Sequence, residues 1–382
     1  MGWFAEQFVS VPSIRKPAIV FLRSFRRPAV VNATALRNCN IQNNLSQDIG
    51  VEKELDVFGV GNAIVDMLAF VPDEFISEQG LQPGSMTLMD TERQASILHQ
   101  LKQLDVKLAS GGSAANTMVA IAQSGGSGVY CGKVARDTNG EFYRQDMEEA
   151  GIKFETEMAP ESADPTGTCV VLTTPDAERT MCTHLGISTS LSKSDLDLNR
   201  MAQCKYSYIE GYLWDAEGPR EACVEAFEQS RKLGLVTSFT FSDPFLVDRY
   251  HSQFLDLVPK YCDMLFCNAD EAKRLCETDS LDDCAKKLGE LCKLAFITDG
   301  ANGCLVVQDN ECHLIKGFPV SAIDTVGAGD AFAGGVLSGM AQGRGALASA
   351  KWGNYLAAQV VSITGPRMAE SLASKVDEVT AI

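Results

Sequence analysis

Short apolar strand segments alternate with helical segments along most of this chain, starting at Leu55. Residues 55–61 alternate in polarity and then become apolar before a glycine turn. Further strand-like runs follow near residues 129–131, 206–209, 236–241, 264–266, 294–297 and 303–307. Repeated strand–helix–strand units bury both faces of a parallel sheet under helices. The sequence therefore predicts an α/β fold with a mainly parallel sheet covered by helices on both faces.

A second group of strands lies outside this alternation. Residues 63–71 are strand-like but contain Asp66, whose burial would be costly unless it faces a polar cleft. Residues 168–173 and 179–185 flank a turn and predict a β-hairpin. Few helices remain to cover these strands. We therefore expect the segments near 63–71, 85–90 and 166–185 to form a small β-sheet that acts as a lid over the cleft.

The charge of the chain changes sharply near residue 50. Residues 1–50 carry six basic and two acidic residues, whereas the whole chain has a net charge of −17. An Arg-rich, acid-poor leader is typical of a mitochondrial or plastid transit peptide, and the alternative is a disordered basic tail on a cytoplasmic enzyme. The sequence thus predicts a leader over residues 1–50 and one large domain over residues 51–382.

The composition also narrows the possible partners. A strongly acidic chain is poorly suited to nucleic acid, and no segment is long and apolar enough to predict a membrane helix. The thirteen cysteines include no C-x-x-C pair, so we expect buried, reduced thiols rather than a zinc or redox site. The partners that remain are small-molecule ligands. We expect the protein itself to be a monomer or a homodimer.

The segment D-T-V-G-A-G-D at residues 324–330 carries the strongest chemical signal. Gly327 and Gly329 allow a tight turn into a helix, whose first amide groups favour an anion. Asp330 lies in the first turn of that helix. In a phosphotransfer site, such amides would hold the phosphoryl group while the carboxylate removes a proton from the attacking hydroxyl.

This segment resembles the C-terminal signature of the PfkB-type (ribokinase-like) carbohydrate and nucleoside kinases. Gly111-Gly-Ser-Ala-Ala-Asn116 resembles the N-terminal signature of the same family, and Asn268-Ala-Asp-Glu271 fits its N-x-x-E motif. Thr298-Asp-Gly-Ala-Asn-Gly303 resembles its nucleotide loop. The matches occur in the family's order and extend over roughly residues 55–370. The resemblance implies a ribokinase-like fold with a β lid, ATP as donor, and Mg²⁺.

The resemblance also implies roles for individual residues. Asp330 would be the catalytic base, with the amides of Gly327, Ala328 and Gly329 as the anion hole. The acceptor would contact Asn62, Asp66, Gly112, Ser113 and Asn116. The nucleotide would contact Thr298, Gly300, Gly303 and Asn354, and Mg²⁺ would be held through Asn268 and Glu271. A monovalent cation such as K⁺ would lie near Asp324, Val326, Val360, Ile363 and Gly365.

Ser113 favours a particular acceptor. Sugar kinases of the family usually have Asn at this position, whereas the adenosine-kinase form has Ser. Against this, Val326 stands where adenosine kinases usually carry Asn. We expect a nucleoside kinase that converts adenosine to AMP, with a ribokinase- or fructokinase-like sugar kinase as the alternative. A catalytically inactive scaffold is a third hypothesis, which the presence of Asp330 and both anion-hole glycines opposes.

Overall fold

A computed structural model describes residues 52–104, 106–175 and 178–381. The expected leader over residues 1–50 lies outside the described residues. The strands are β1 (Leu55–Val60), β2 (Ile64–Phe70), β3 (Met86–Leu88), β4 (Lys107–Gly111), β5 (Gly128–Cys131), β6 (Ile152–Lys153), β7 (Gly167–Thr173), β8 (Arg179–His184), β9 (Cys204–Glu210), β10 (Val236–Thr240), β11 (Met264–Asn268), β12 (Leu294–Thr298), β13 (Gly303–Gln308) and β14 (Glu311–Lys316).

The helices are interspersed with these strands along the chain. They are α1 (Asp73–Glu78), α2 (Thr91–Gln100), α3 (Ser113–Gln123), α4 (Thr138–Glu149), α5 (Leu198–Ala202), α6 (Glu217–Lys232), α7 (Pro244–Tyr261), α8 (Ala269–Cys276), α9 (Leu281–Leu291), α10 (Ala328–Ala341), α11 (Ala346–Val361) and α12 (Val376–Thr380). Of the helices that the structure describes, none combines the length and apolar character needed to cross a membrane.

Nine strands form the large sheet, in the order β14-β13-β12-β11-β10-β9-β1-β5-β6. In this spatial order, every pair of neighbouring strands from β12 across to β6 is parallel. Strands β13 and β14 add an antiparallel hairpin beside β12, at one edge of the sheet. Because parallel strands end at the same edge, the loops after β1, β9, β10, β11 and β12 meet there. This arrangement confirms the predicted α/β fold with a mainly parallel sheet.

Alternate side chains of the large sheet enter two different cores. On β11, Leu265 and Cys267 belong to the core under α6–α9, whereas Met264 and Phe266 belong to the core under α3, α10 and α11. Successive strand residues point to opposite faces, so an uninterrupted apolar strand is what a doubly covered sheet requires. Helices therefore cover both faces, as the sequence predicted.

Five strands form a separate small sheet, in the order β3-β8-β7-β2-β4. It contains all three segments predicted for the lid, together with β4, and β7 and β8 form the predicted antiparallel hairpin. One face of this sheet packs on α1 and α2 through a core that includes Ala69, Ile76 and Leu172. The opposite face carries Asp66. The closing motion of a lid stays a prediction.

Glycines set the separation of α10 from its two neighbouring helices. A Cβ atom at Gly334 would lie 2.7 Å from the carbonyl oxygen of Thr117 on α3, and one at Gly335 would lie 2.8 Å from Gly353 Cα on α11. Such distances are closer than real Cβ contacts. The small residues of α10 therefore let it pack closely against both helices.

The sequence prediction missed several elements, among them α7 and β14. Helix α7 begins at Pro244 and has non-helical backbone angles at Tyr250, which interrupts its apolar period. Strand β14 is an edge strand with several exposed side chains, so it lacks the apolar run of a buried strand.

The burial predicted for the cysteines is confirmed for all but one of those that the structure describes. All twelve cysteines there are free thiols, and eleven are buried. Cys39 lies among the residues that are not described.

Candidate active site

Asp330 lies in the first turn of α10 and accepts hydrogen bonds through both carboxylate oxygens. Ser113 Oγ donates to Oδ1 at 2.6 Å, and Asn116 Nδ2 donates to Oδ2 at 3.0 Å. Burial raises the pKa of Asp330 to about 6, although the two hydrogen bonds and the nearby Arg367 oppose that rise. A carboxyl group with this pKa is mostly ionised at neutral pH and can accept a proton.

The amide groups at the start of α10 lie beside Asp330. Gly327 precedes the helix with a φ of 79°, and a Cβ there would lie 2.6 Å from Pro366 Cα, so only glycine fits. Gly329 is exposed, and no atom lies within 4 Å of the position its Cβ would occupy. The Ala328 amide donates to Thr325 O at 3.3 Å within the turn. Apart from the Ala328 amide, the N–H groups of the first turn have no acceptor within the helix, so this end of α10 is open to an anion.

Asp66 on β2 faces the same cleft from the small sheet. Its carboxyl group lies over Gly111, where a Cβ would be only 2.5 Å away. Burial raises the pKa of Asp66 to about 7, while Arg367 and Arg179 lower it and Asp330 raises it further. The structure therefore brings the predicted acceptor carboxylate and the predicted base into one electrostatic environment.

Asn62 and Gly112 form a second wall of the acceptor side. Gly112 has a φ of 102°, and a Cβ there would lie 2.2 Å from Asn62 O. Asn62 is buried, so its side chain is fixed by its neighbours. Gly112 directly precedes α3 and so delivers Ser113 and Asn116 to the cleft.

Glu210 is a buried carboxyl group at this wall that the sequence reasoning missed. Its Oε1 accepts from the Asn62 backbone amide at 2.6 Å and from Asn62 Nδ2 at 2.9 Å, and its Oε2 accepts from the Ala114 amide at 2.8 Å. Burial raises its pKa to about 7. The sequence does contain a signal for Glu210. It is the last residue of the apolar strand β9, and an acidic residue at the carboxyl edge of a parallel sheet is a candidate site residue.

Ser113 and Asn116 make a different contact from the one expected of acceptor ligands. Both donate to Asp330, and the Asn116 Oδ1 accepts from Arg367 Nε at 2.9 Å. Arg367 follows α11 and was also missed from the sequence. The signal for it was weak, since only its place in Gly365-Pro-Arg367, close to the loop singled out for a cation, set it apart.

Arg179 from β8 forms a buried ion pair with Asp324. Its Nη2 lies 2.7 Å from Asp324 Oδ2, and both side chains are less than a tenth exposed. Asp324 also accepts from the amides of Val326 at 3.1 Å and Gly365 at 2.8 Å. The carboxylate that the family resemblance associates with a monovalent cation is therefore already neutralised by a guanidinium group. These residues do not fit the cation site that the resemblance implied.

Of the four residues predicted to contact the nucleotide, Gly300 has open space around it, whereas the other three contact other parts of the protein. Gly300 has a φ of 51° and open space around its Cβ position. A Cβ at Gly303 would lie 2.1 Å from Ile315 O, and Asn354 Nδ2 donates to Ile315 O at 2.9 Å. Thr298 Oγ1 lies 3.5 Å from Cys267 O, at the end of β12. Gly303 and Asn354 thus hold β14 in place, and the binding role of all four stays a prediction.

Asn268 and Glu271 form a reciprocal capping box at the start of α8. Asn268 Oδ1 accepts from the Glu271 amide, and Glu271 Oε2 accepts from the Asn268 amide, each at 2.9 Å. Burial and the nearby Asp243 and Asp270 raise the pKa of Glu271 to about 7. Within residues 52–381, apart from the short gaps, no three His, Cys, Asp or Glu side chains are arranged to hold a metal ion. The role of the pair in holding Mg²⁺ and its water molecules stays a prediction.

Known proteins share this architecture. The solved structure of adenosine kinase from Sinorhizobium meliloti is 37% identical, with a TM-score of 0.77 over 85% of this chain and 99% of that chain. A probable sugar kinase from Rhizobium etli is 34% identical, with a TM-score of 0.78 over 85% of this chain and 98% of that one.

A curated relative, adenosine kinase from Saccharomyces cerevisiae, is 27% identical over 329 residues, which are 80% of this chain and 95% of the relative. The family model of the pfkB family carbohydrate kinases matches residues 85–371. That match includes α3, the Asn268–Glu271 pair and Asp330, which are the elements that build the cleft. The chain therefore belongs to the PfkB family of carbohydrate kinases.

Proposed function

We propose that this ATP-dependent kinase phosphorylates the 5′-hydroxyl group of a ribonucleoside, with adenosine as acceptor and AMP as product. The observation that carries the proposal is a doubly hydrogen-bonded Asp330 at the open N-terminus of α10. Asp330 accepts the proton of the 5′-hydroxyl as the hydroxyl oxygen bonds to the γ-phosphorus of ATP, and the bond from that phosphorus to the β,γ-bridging oxygen breaks, so that ADP leaves. The free amides of the first helical turn stabilise the negative charge of the transferring group.

Asp66 and Asn62 orient the ribose. The carboxylate of Asp66 accepts hydrogen bonds from two neighbouring ring hydroxyls, which fixes the sugar relative to Asp330. Asn62 Nδ2 is bound to Glu210, so its Oδ1 is the atom left to accept from a hydroxyl. Gly112 keeps the backbone close enough for both side chains to reach one ligand.

An apolar surface beside Asp66 favours a nucleoside over a free sugar. Leu68 follows Asp66 on the same face of β2, it pairs with Val171 on β7, and Val171 pairs with Met181 on β8. Directly paired residues share one face of a sheet. A flat purine base would cover these side chains, whereas a free sugar has no comparable apolar group. The names of the S. meliloti and S. cerevisiae relatives support the same acceptor class.

ATP would approach along the loops after β11 and β12. Gly300 leaves room for a phosphate, and Asn268 and Glu271 would hold water molecules around Mg²⁺. When bound, Mg²⁺ neutralises part of the charge of the phosphates. Arg179 supplies a fixed positive charge at Asp324. We therefore propose that Arg179 takes the place of the K⁺ that the family resemblance implied, and that the enzyme needs no monovalent cation.

The test is kcat/KM for adenosine, 2′-deoxyadenosine, ribose and fructose, measured side by side with MgATP. Adenosine should be the best acceptor. The 2′-deoxy compound should be worse, because Asp66 would lose one hydroxyl partner at a cost of about 1–3 kcal/mol. Higher efficiency on either free sugar would establish the sugar-kinase alternative, which the Rhizobium etli neighbour's name favours. No activity on any acceptor would support an inactive scaffold.

A further inference from the structure

Arg367 connects four parts of the molecule at the edge of the acceptor cleft. It lies in the loop after α11, and its side chain is only 14% exposed. Its Nε donates to Asn116 Oδ1 at 2.9 Å, and its Nη1 donates to Ser110 Oγ at 2.7 Å. The same Nη1 lies 3.3 Å from Asp146 Oδ2 on α4. The guanidinium group is therefore held in one orientation.

This orientation decides which way the amide of Asn116 faces. A guanidinium group has only donors, so Asn116 must present its oxygen to Arg367 and its NH₂ group to Asp330. The observed distance of 3.0 Å from Asn116 Nδ2 to Asp330 Oδ2 agrees with that assignment. With Ser113 on Oδ1, both oxygens of the base then accept hydrogen bonds.

We propose that Arg367 is a positioning residue for the catalytic base, which acts by fixing the amide of Asn116 so that its NH₂ group faces Asp330. The proposal rests on the assignment of Asp330 as the base. Without Arg367, the amide can rotate and present its oxygen to the carboxylate, which favours the protonated, inactive form. Arg367 thus acts through another residue rather than on the substrate.

The charges around Asp330 strengthen the effect. The acidic groups whose charges interact with Asp330 are Asp66 on β2 and Glu210 on β9, together with the phenols of Tyr208 and Tyr212. Arg367 is the cation that lowers the pKa of Asp330. Its removal would take away both the favourable amide orientation and this opposing charge, and both losses disfavour the ionised base.

The experiment is the pH profile of kcat for the wild type, Arg367→Met and Arg367→Lys, with saturating adenosine and MgATP. In Arg367→Met we expect the acid limb of the kcat profile to move to higher pH by about one unit. That is the lower end of the pKa shift that a nearby opposite charge produces. Activity should recover at high pH, and KM for ATP should stay unchanged. In Arg367→Lys the acid limb should lie between its positions in the wild type and in Arg367→Met, because an ammonium group also donates to Asn116 Oδ1.

Arg344→Met is the matched control, since Arg344 is also a partly buried arginine that pairs with an aspartate, Asp377. Its acid limb should stay at the wild-type position. If Arg367→Met does not fold, Ser110→Ala removes one anchor of the guanidinium and should move the limb in the same direction by a smaller amount.

Three outcomes would overturn the proposal. They are an unmoved limb in the folded variants, a fall in kcat that is equal at every pH, and a rise in the KM of adenosine alone. The last would mean that the buried Nη2 of Arg367, which has no partner among the described residues, binds the acceptor. An active Asp330→Asn enzyme would instead refute the base itself, and so the two failures can be told apart.

Discussion

The guanidinium group of Arg179 lies 2.7 Å from the carboxylate of Asp324, and both side chains are buried. Arg179 belongs to the small sheet, whereas Asp324 begins the segment that leads into the anion hole. Asp324 also binds the amides of Val326 and Gly365. One carboxylate thus connects the small sheet, the turn before α10 and the loop after α11.

Arg179→Ala should make the enzyme respond to monovalent cations. The variant leaves Asp324 buried and unpaired, and loss of one partner of a buried pair costs about 3–5 kcal/mol. We expect the melting temperature of the variant to be higher in KCl than in tetramethylammonium chloride, with partial rescue of kcat by K⁺. The wild type should show the same values in both salts.

Arg249→Ala is the control for this experiment, because its ion pair with Asp215 is largely exposed. Its stability should be close to that of the wild type in either salt. K⁺ activation of the wild-type enzyme would show that Arg179 does not replace the cation.

Asp330→Asn should abolish most of the activity while the fold persists. An amide can still pack between Ser113 and Asn116, but it cannot accept the proton of the attacking hydroxyl. Loss of a general base lowers kcat by about 10²–10⁴-fold. Steady-state kinetics and ATP binding by calorimetry give the two readouts, with the exposed Asp256→Asn as control. Turnover within a few-fold of the wild type would remove Asp330 from the mechanism.

Glu210→Gln should change how stability depends on pH. Burial raises the pKa of Glu210 to about 7 in the folded protein, from an ordinary value of 4.5. Between these values the folded state holds a proton that the unfolded state has released, so this group makes the free energy of unfolding fall as pH rises. The variant lacks that proton, and the decline should be less steep by about 1 kcal/mol per pH unit between pH 5 and 6.5.

Urea unfolding at pH 5, 6 and 7 measures this slope. Glu148→Gln, at an exposed position of α4, should retain the wild-type slope. Identical slopes in the wild type and Glu210→Gln would mean that Glu210 is ionised throughout this range. Relative to the wild type, Glu210→Gln should also raise the KM of the acceptor more than the KM of ATP, because Glu210 holds Asn62.

A protein that begins at Val51 should be as active as the full chain. We expect this because the sequence changes from basic to acidic at the start of the first strand, β1. Expression of the full chain and of residues 1–50 fused to a fluorescent protein would show whether the leader directs import into mitochondria or plastids. An insoluble or inactive shortened protein would place the leader within the fold.

Much of the fold was predictable because strand and helix patterns are local. Helix α10 begins at Ala328, directly after the tight turn into a helix that the glycines of residues 324–330 predicted. The order of the family motifs correctly brought Asp330 and the α3 signature into one cleft. Such inferences depend on residues close in sequence or on a resemblance that extends over the whole domain.

The site residues that were missed depend on contacts between distant parts of the chain. Arg367 and Asn116 are separated by 251 positions, and Glu210 and Asn62 by 148. A lone arginine or glutamate gives no local pattern that reveals such a partner. Gly303 shows that one residue can satisfy two requirements, because a glycine that matches a nucleotide loop also allows the close approach of Ile315 O.

The division between the two sheets has an evolutionary consequence. The groups that hold the base come from α3, α10 and the loop after α11, whereas Asp66, Leu68 and Met181 come from the small sheet. Mutations on the small sheet can therefore change the preferred acceptor while the chemistry is inherited intact. Two solved structures that share this fold, at 37% and 34% identity to this chain, are named adenosine kinase and probable sugar kinase, and divergence of this kind would account for that difference. New acceptor specificities in this lineage should be sought first among substitutions at those three positions.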